Sequence, residues 1–372
     1  MEFIDLKAQQ DRIRDKIDAR IKKVLDHGQY IMGPEVFELE EKLAEFCGAK
    51  HVITCANGTE ALMMPLMAKG FGKKDAVFVP AFTFAATAEA VVLAGATPVF
   101  VDVKRDTFNL CSESLKSGVT TAKAEGLNPA AVIPVGLFGQ PADFDAIEEV
   151  ARAEKLFILD DAAQSFGSTY KGRKTGTLGD VTATSFFPAK PLGCYGDGGA
   201  IFTDDEELAE ILKSIRVHGK GKDKYENVRV GLNSRLDTIQ AAILIEKLGV
   251  FPAELMARQK LANQYSEGVG KYCQHPKLLA GVSSSWAQYT VMLETRDKVR
   301  RSLEAAGVPT ALYYSLPLHQ QLAYVNYPQA SQELVNSESI AKKVLSLPLH
   351  PYLIEEEGNQ IVNCFIGSCL YD

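Results

Sequence analysis

Residues 76–101 read AVFVPAFTFAATAEAVVLAGATPVFV, and the fold class follows from them. The two ends, Ala76-Val77-Phe78-Val79 and Pro98-Val99-Phe100-Val101, are short unbroken apolar runs, the pattern of strands covered on both faces. A helix is expected between them from about Thr83. The same rhythm extends both ways. Upstream, Val52-Ile53-Thr54 precedes a helix from about Thr59; downstream come Ala131-Val132-Ile133-Pro134-Val135, a helix from Asp143 and Leu156-Phe157-Ile158-Leu159. Strands alternating with helices in this way predict an α/β protein whose mostly parallel, mixed sheet is sandwiched by helices. Two amphipathic helices, Ile13 to Leu25 and Val36 to Phe46, open the chain.

Past Leu159 the spacing shortens. Strands are expected at Val181 to Phe187 and Gly199 to Thr203, then a helix Glu206 to Val217, an apolar helix Leu236 to Leu248 and a long one from Pro252 into the 260s. From about Ser285 the pattern predicts a strand Gln288 to Leu293, a helix Lys298 to Ala306, a strand Thr310 to Tyr313 and a helix Ser337 to Leu345. These make a small C-terminal α+β domain. The expected division is 1–250 for the large domain and 251–372 for the small one with its connecting helix.

The chain has 372 residues, 46% hydrophobic and 23% charged, which is the composition of a folded domain and not of a disordered one. Its 40 basic residues against 47 acidic ones give a net charge of -7, so no basic footprint for nucleic acid exists. The first residues, MEFIDLK, lack the features of a signal peptide, and no window approaches the roughly 20 apolar residues of a membrane span. A cytoplasmic protein without membrane partners is expected. Seven scattered cysteines with no C-x-x-C pair are read as reduced packing residues.

The chemistry is narrowed by absence. There is no G-x-G-x-x-G after the first strand, no P-loop, no H-E-x-x-H and no G-x-S-x-G. Four segments remain at strand ends, where open α/β sheets place ligands. In CANGTEAL, residues 55–62, Gly58 and Thr59 would put free backbone N–H groups and a hydroxyl at a helix start, an anion site; plain capping by Asn57 or Thr59 is the alternative. In PAFTFAAT, residues 80–87, an aromatic ring is placed to stack on a flat cofactor or to fill the core. In FILDDAAQS, residues 157–165, two acids close an apolar strand, where a carboxylate needs a compensating cation such as a protonated ring nitrogen; Asp160 or Asp161 could instead cap the next segment of chain. In SFFPAKPLGCYGDGGA, residues 185–200, Lys190 lies between prolines and glycines that fix the backbone. A desolvated amine there becomes a nucleophile for a Schiff base, while a solvated surface lysine is the alternative. Together these describe a phosphate cradle, a stacking ring, an acid for a pyridinium nitrogen and an amine for an aldehyde, the needs of pyridoxal 5'-phosphate.

These segments, with NSRLDTIQAA at 233–242, GQYIMGPE at 28–35 and SLPLHPYL at 346–353, resemble the DegT/StrS-type nucleotide-sugar aminotransferases over nearly the whole chain. The resemblance implies the fold-type I architecture and a homodimer with shared active sites. It implies Lys190 as the Schiff-base lysine, Asp161 at the pyridine nitrogen, Phe84 on the ring and Gln164 beside the ring and its 3-hydroxyl. Gly58, Thr59 and Ser185 would hold the phosphate, and Asn233 would reach in from the neighbouring subunit. The implied reaction takes an amino group from L-glutamate, leaving 2-oxoglutarate, and gives it to a nucleotide-linked ketosugar. Lys190 argues against the dehydration chemistry of relatives that carry His there.

The stretches around Lys190 and Asn233 look most like the subgroup that aminates the 3-keto carbon of UDP-2-acetamido-2-deoxy-3-oxo-glucuronate for surface polysaccharide (O-antigen) sugars. Arg235 offers a fork for that sugar's C6 carboxylate, with a surface ion pair as the alternative. Tyr313-Tyr314 stand near the sugar where relatives tend to have His-Tyr, and Asp160 where Glu is commoner. Single histidines such as His319 and His350 carry no expectation. Amination at C4 of another UDP- or dTDP-ketosugar, or a cofactor-binding sensor without turnover, are the other readings.

Overall fold

The computed structural model describes residues 1–223 and 225–370. In chain order the elements are α1 (Leu6–His27), α2 (Pro34–Cys47), β1 (His51–Cys55), α3 (Gly58–Ala68), β2 (Asp75–Pro80), α4 (Ala86–Leu93), β3 (Thr97–Val101), α5 (Ser112–Ala124) and β4 (Asn128–Val132). They continue with α6 (Phe144–Glu154), β5 (Phe157–Asp161), a short hairpin of β6 (Thr169–Tyr170) and β7 (Arg173–Lys174), β8 (Val181–Ser185), β9 (Gly199–Thr203) and α7 (Glu206–Arg216). The last are α8 (Thr238–Val269), β10 (Tyr289–Met292), α9 (Arg296–Ala305), α10 (Val335–Lys343), β11 (Val344–Leu347) and α11 (Glu355–Leu370).

The main sheet has seven strands in the order β1-β9-β8-β5-β4-β2-β3. All pairings from β8 to β3 are parallel, and β9 runs against both β8 and β1. The sheet is therefore mixed by one strand. The period-two alternation of side chains puts residues of one strand on two faces. Ile53 and Ile201 point into a core shared with Leu62 of α3, Val91 of α4, Leu115 of α5, Ile147 of α6 and Leu212 of α7. Val52, Ala200 and Phe202 face the other way, onto Leu39 and Leu43 of α2 and Leu244 and Phe251 of α8. Both faces are covered, as the unbroken apolar strands require.

Several expectations change. The two helices expected at 236–248 and from Pro252 are one helix, α8, with Pro252 inside it. An interior proline costs about 3 kcal/mol. Leu244, Leu248 and Phe251 are buried before it, and Leu261, Tyr265 and Val269 after it, at roughly 1.5–3 kcal/mol for each large side chain, so packing outweighs the lost hydrogen bond. The strand expected at Thr310 to Tyr313 reduces to one bridge, Ala311 with Ser346, because the chain there pairs once with β11 and turns toward the main sheet. Helix α5 was not expected from its mixed Ser, Thr and Lys composition; β11, α11 and the β6–β7 hairpin are further additions.

The expected boundary between residues 250 and 251 falls within α8. The second half of that helix packs with β10, β11, α9 and α11 around Tyr265, Tyr289, Leu345 and Phe365; residues 371–372 of the 251–372 expectation lie outside the described residues. Segment 316–337 returns to the main sheet. Ala330 N–H donates to Phe100 O and Phe100 N–H to Pro328 O, covering the β3 edge, and Leu318 N–H donates to Ala81 O just beyond β2. Asp102, after β3, accepts from Asn336 N, Ser337 N and Ser337 Oγ at the start of α10. Among the described residues no helix is long and apolar enough to cross a membrane, and no cluster of metal-ligating side chains occurs. All seven cysteines are free.

Candidate active site

Four strands end at one edge of the main sheet: β1 at Cys55, β2 at Pro80, β5 at Asp161 and β8 at Ser185. Strand β9 starts there, with Gly199 paired to both Cys55 and Ser185. The four segments singled out in the sequence thus converge.

At the β1 end, Asn57 caps α3, its Oδ1 accepting from Glu60 N at 2.8 Å, so the capping alternative holds for that side chain. The N–H groups of Gly58 and Thr59, in the first turn, have no partner within the helix and remain for a ligand. Gly58 also packs against Ser185: a Cβ built on it would lie 2.6 Å from Ser185 Cβ. Gly199 is as tight, its imaginary Cβ 2.5 Å from Asn57 O. These contacts set Gly58 against Ser185 at the start of α3, a close approach only glycine permits, with Thr59 next in the chain.

Asp161 is buried at the end of β5. Its Oδ2 accepts from Thr87 Oγ1 at 2.9 Å and its Oδ1 from Ala163 N at 3.2 Å. Burial pushes its carboxyl up, opposed by those two donors and by the charge of Lys190. Lys190 is half-buried in the turn after β8, where its own N–H donates to Phe187 O at 2.9 Å. Burial lowers its amine, opposed by Asp161. The acid and the amine face one another electrostatically. Asp160 points to the other side of the strand, fully buried, and among the described residues it has only Thr182 Oγ1 at 3.4 Å and no partner for Oδ1; burial, then Asp161, holds its carboxyl well above the usual range.

Gln164 is fixed from three sides. Its Oε1 accepts from Phe138 N at 2.8 Å, its backbone oxygen from Ser285 Oγ at 2.6 Å, and its Nε2 donates to Tyr314 Oη at 3.3 Å. Phe138 holds the left-handed backbone (φ 61°) that presents this N–H, an unusual conformation for a bulky residue. Tyr314 lies 6.1 Å from the Phe84 ring, centroid to centroid, and 5.7 Å from that of Tyr313. Phe84 is 55% exposed, so it stands at the site and not in the core. Asn233 and Arg235 sit together elsewhere. Arg235 Nη2 donates to Asn233 Oδ1, and Ser234 between them accepts from Ala56 N at 3.4 Å, beside the β1 end. Among the described residues no hydrogen bond ties them to Lys190, Asp161 or Gln164, and Arg235 Nε is buried without a partner. Sequence reading missed Thr87 as a partner of Asp161. Its only signal was the Thr83/Thr87 spacing of four, which in the helix expected from about Thr83 would put both hydroxyls on one face; in the structure α4 starts at Ala86 and Thr83 precedes it.

A phosphate, a ring nitrogen that carries a proton and an aldehyde that meets an amine fit these residues: a cradle that a Cβ would fill, a buried acid, and an amine of lowered pKa. The site is that of a pyridoxal-phosphate-dependent aminotransferase. The model of the DegT/DnrJ/EryC1/StrS aminotransferase family matches residues 11–366, and the chain belongs to that family. It is 51% identical, over 95% of its length and 96% of the other's, to the UDP-2-acetamido-2-deoxy-3-oxo-D-glucuronate aminotransferase of Pseudomonas aeruginosa. Among solved structures it is similar to a DegT DnrJ EryC1 StrS aminotransferase from Brucella abortus, 51% identical with TM-score 0.98 over 100% of both chains. It is also similar to NtdA from Bacillus subtilis, solved with bound cofactor PMP, at 29% identity and TM-score 0.89, over 99% of this chain and 83% of that one.

Proposed function

We propose that this aminotransferase moves the amino group of L-glutamate onto the 3-keto carbon of UDP-2-acetamido-2-deoxy-3-oxo-glucuronate, in the cytoplasm, in the making of O-antigen sugars. The observation that carries this reading is the 51% identity, across nearly the full length of both chains, to the Pseudomonas aeruginosa relative. The buried, unpartnered Nε of Arg235 supports it as a donor for the sugar's carboxylate, and among the described residues Arg235 pairs with no carboxylate of its own.

When bound, pyridoxal phosphate supplies an electron sink and a carrier for the amino group. The chain supplies the rest. Gly58, Thr59 and Ser185 hold the phosphate through backbone N–H groups and hydroxyls. Asp161 holds a proton on the ring nitrogen, a charge-assisted contact worth roughly 1.5–3 kcal/mol. Phe84 would cover one face of the ring, and Gln164, locked by Phe138 and Ser285, would meet the 3-hydroxyl. Lys190 Nζ, its charged form disfavoured by burial, would move the proton from the α-carbon of glutamate to the cofactor's C4' carbon and, in the second half-reaction, move a proton from that carbon to C3 of the sugar. Tyr313 and Tyr314 line the approach of the sugar.

The assembly belongs to the same reading: a homodimer in which Asn233, exposed in the protomer, completes the neighbour's site. So does a division into units 1–250 and 251–372, supported by the two separate cores that α8 joins. A panel of UDP- and dTDP-ketosugars with glutamate as donor tests the substrate. Amination of the 3-oxo-glucuronate sugar with the new C–N bond at C3 is expected. A preference for a sugar aminated at C4 would favour the alternative, and no amination of any member would favour a sensor.

A further inference from the structure

Two buried hydroxyls beside the site have no part in that chemistry. Thr87, in the first turn of α4, and Thr83, four residues earlier in the chain that leads into the helix, are 1% and 3% exposed. Thr87 Oγ1 lies 2.9 Å from Asp161 Oδ2, and Thr83 Oγ1 lies 3.3 Å from Thr87 Oγ1. A carboxylate only accepts, so the Thr87 proton points at Asp161. A hydroxyl has one proton, so the proton between the two threonines belongs to Thr83. The order is therefore fixed, Thr83 to Thr87 to Asp161. We propose that Thr87, oriented by Thr83, is a positioning residue that keeps the proton shared by Asp161 and the cofactor's ring nitrogen on the nitrogen.

The sign follows from the donor's effect. A hydrogen bond to the charged form of an acid favours that form and makes the carboxylate a weaker base. Asp161 needs this, because burial makes its carboxylate more basic, and Lys190 and the donated Ala163 N–H act the other way. Tyr314 is the other titratable group facing it. Ala163 holds Oδ1 at 3.2 Å, so Thr87 is the shorter of the two donors and the only one on Oδ2 among the described residues. Without Thr87 the carboxylate competes for the ring proton, and the ring loses part of its power to withdraw electrons.

The inference rests on Asp161 as the partner of the ring nitrogen, and its test separates the two. Wild type, Thr87→Val, Thr87→Ser, Thr83→Val and Asp161→Asn are loaded with pyridoxal phosphate carrying 15N in the ring. The ring nitrogen resonance, the rate of the glutamate half-reaction and the melting temperature are read for each. Thr87→Val is expected to move the resonance toward that of an unprotonated pyridine and to slow the half-reaction roughly 10- to 100-fold. Thr87→Ser should restore both, and Thr83→Val should shift both in the same direction by less. A Thr87→Val protein with the wild-type resonance overturns the proposal, whatever its rate or melting temperature. If Asp161→Asn moves the resonance and Thr87→Val does not, only the hydroxyl pair is dismissed; if neither moves it, the role of Asp161 falls too. Should the valine variant at 87 fail to fold, Thr83→Val decides, and a wild-type resonance there overturns the proposal.

Discussion

Three single residues carry separable consequences. Lys190 is half-buried and belongs to no core cluster, so Lys190→Ala should fold with an unchanged melting temperature and lose transamination by several orders of magnitude. Steady-state turnover checks this. Gly58→Ala places a Cβ 2.6 Å from Ser185 Cβ, an overpacking of about 1–3 kcal/mol, and a titration should show cofactor affinity reduced about tenfold or more. Asp160 has its carboxyl raised by burial and by Asp161. Between its ordinary range and that raised value the folded state holds a proton that the unfolded state has lost, so stability falls as pH rises through the interval. Asp160→Asn removes this loss. Denaturant midpoints should show the variant gaining on wild type from about pH 4 toward neutrality, and a constant difference across that range would contradict the assignment.

At the scale of elements, the buried junction of α2, β1 and α7 is as telling as the strands. Arg216 Nη1 donates to Glu40 Oε1 at 2.6 Å and to Thr54 O at 3.0 Å, while Thr54 N–H donates to the same Glu40 oxygen at 2.9 Å. Arg216 is 4% exposed, so Arg216→Ala leaves Glu40 without its cation and should cost about 3–5 kcal/mol. The exposed pair Lys7–Asp11 should cost under about 1 kcal/mol when Lys7 is removed. Equal losses in urea unfolding would refute the distinction. Strands β1 to β5 were legible because an unbroken apolar run has one structural meaning in an α/β chain. Helix α5 was not, since Ser112, Thr120 and Lys123 hide the face on which Leu115 and Val119 are buried. A mixed sheet was expected, but that β9 is the strand that reverses was not legible, because strand direction is set by the Gly-rich return from Lys190 and leaves no mark on residues 199–203. In the site, glycines, acids and lysine declared themselves by residue type. Thr87 did not, because a threonine on a helix face has no meaning until Asp161 is placed beside it.

For the whole molecule, the expected homodimer predicts a recovery that no single chain can produce. Lys190→Ala and Asn233→Ala proteins, each inactive, are mixed, unfolded and refolded together. If Asn233 serves the neighbour's site, half the dimers are mixed and each carries one intact site, so about a quarter of wild-type activity should return. No recovery would place Asn233 in the site of its own chain or outside it.

The decisive measurement is the visible absorption band of the cofactor-loaded protein, followed as L-glutamate and then UDP-2-acetamido-2-deoxy-3-oxo-glucuronate are added in turn. Glutamate should bleach the band and the ketosugar should restore it. A band that glutamate leaves untouched, or one that 2-oxoglutarate restores but the ketosugar does not, would contradict transfer from glutamate to this sugar.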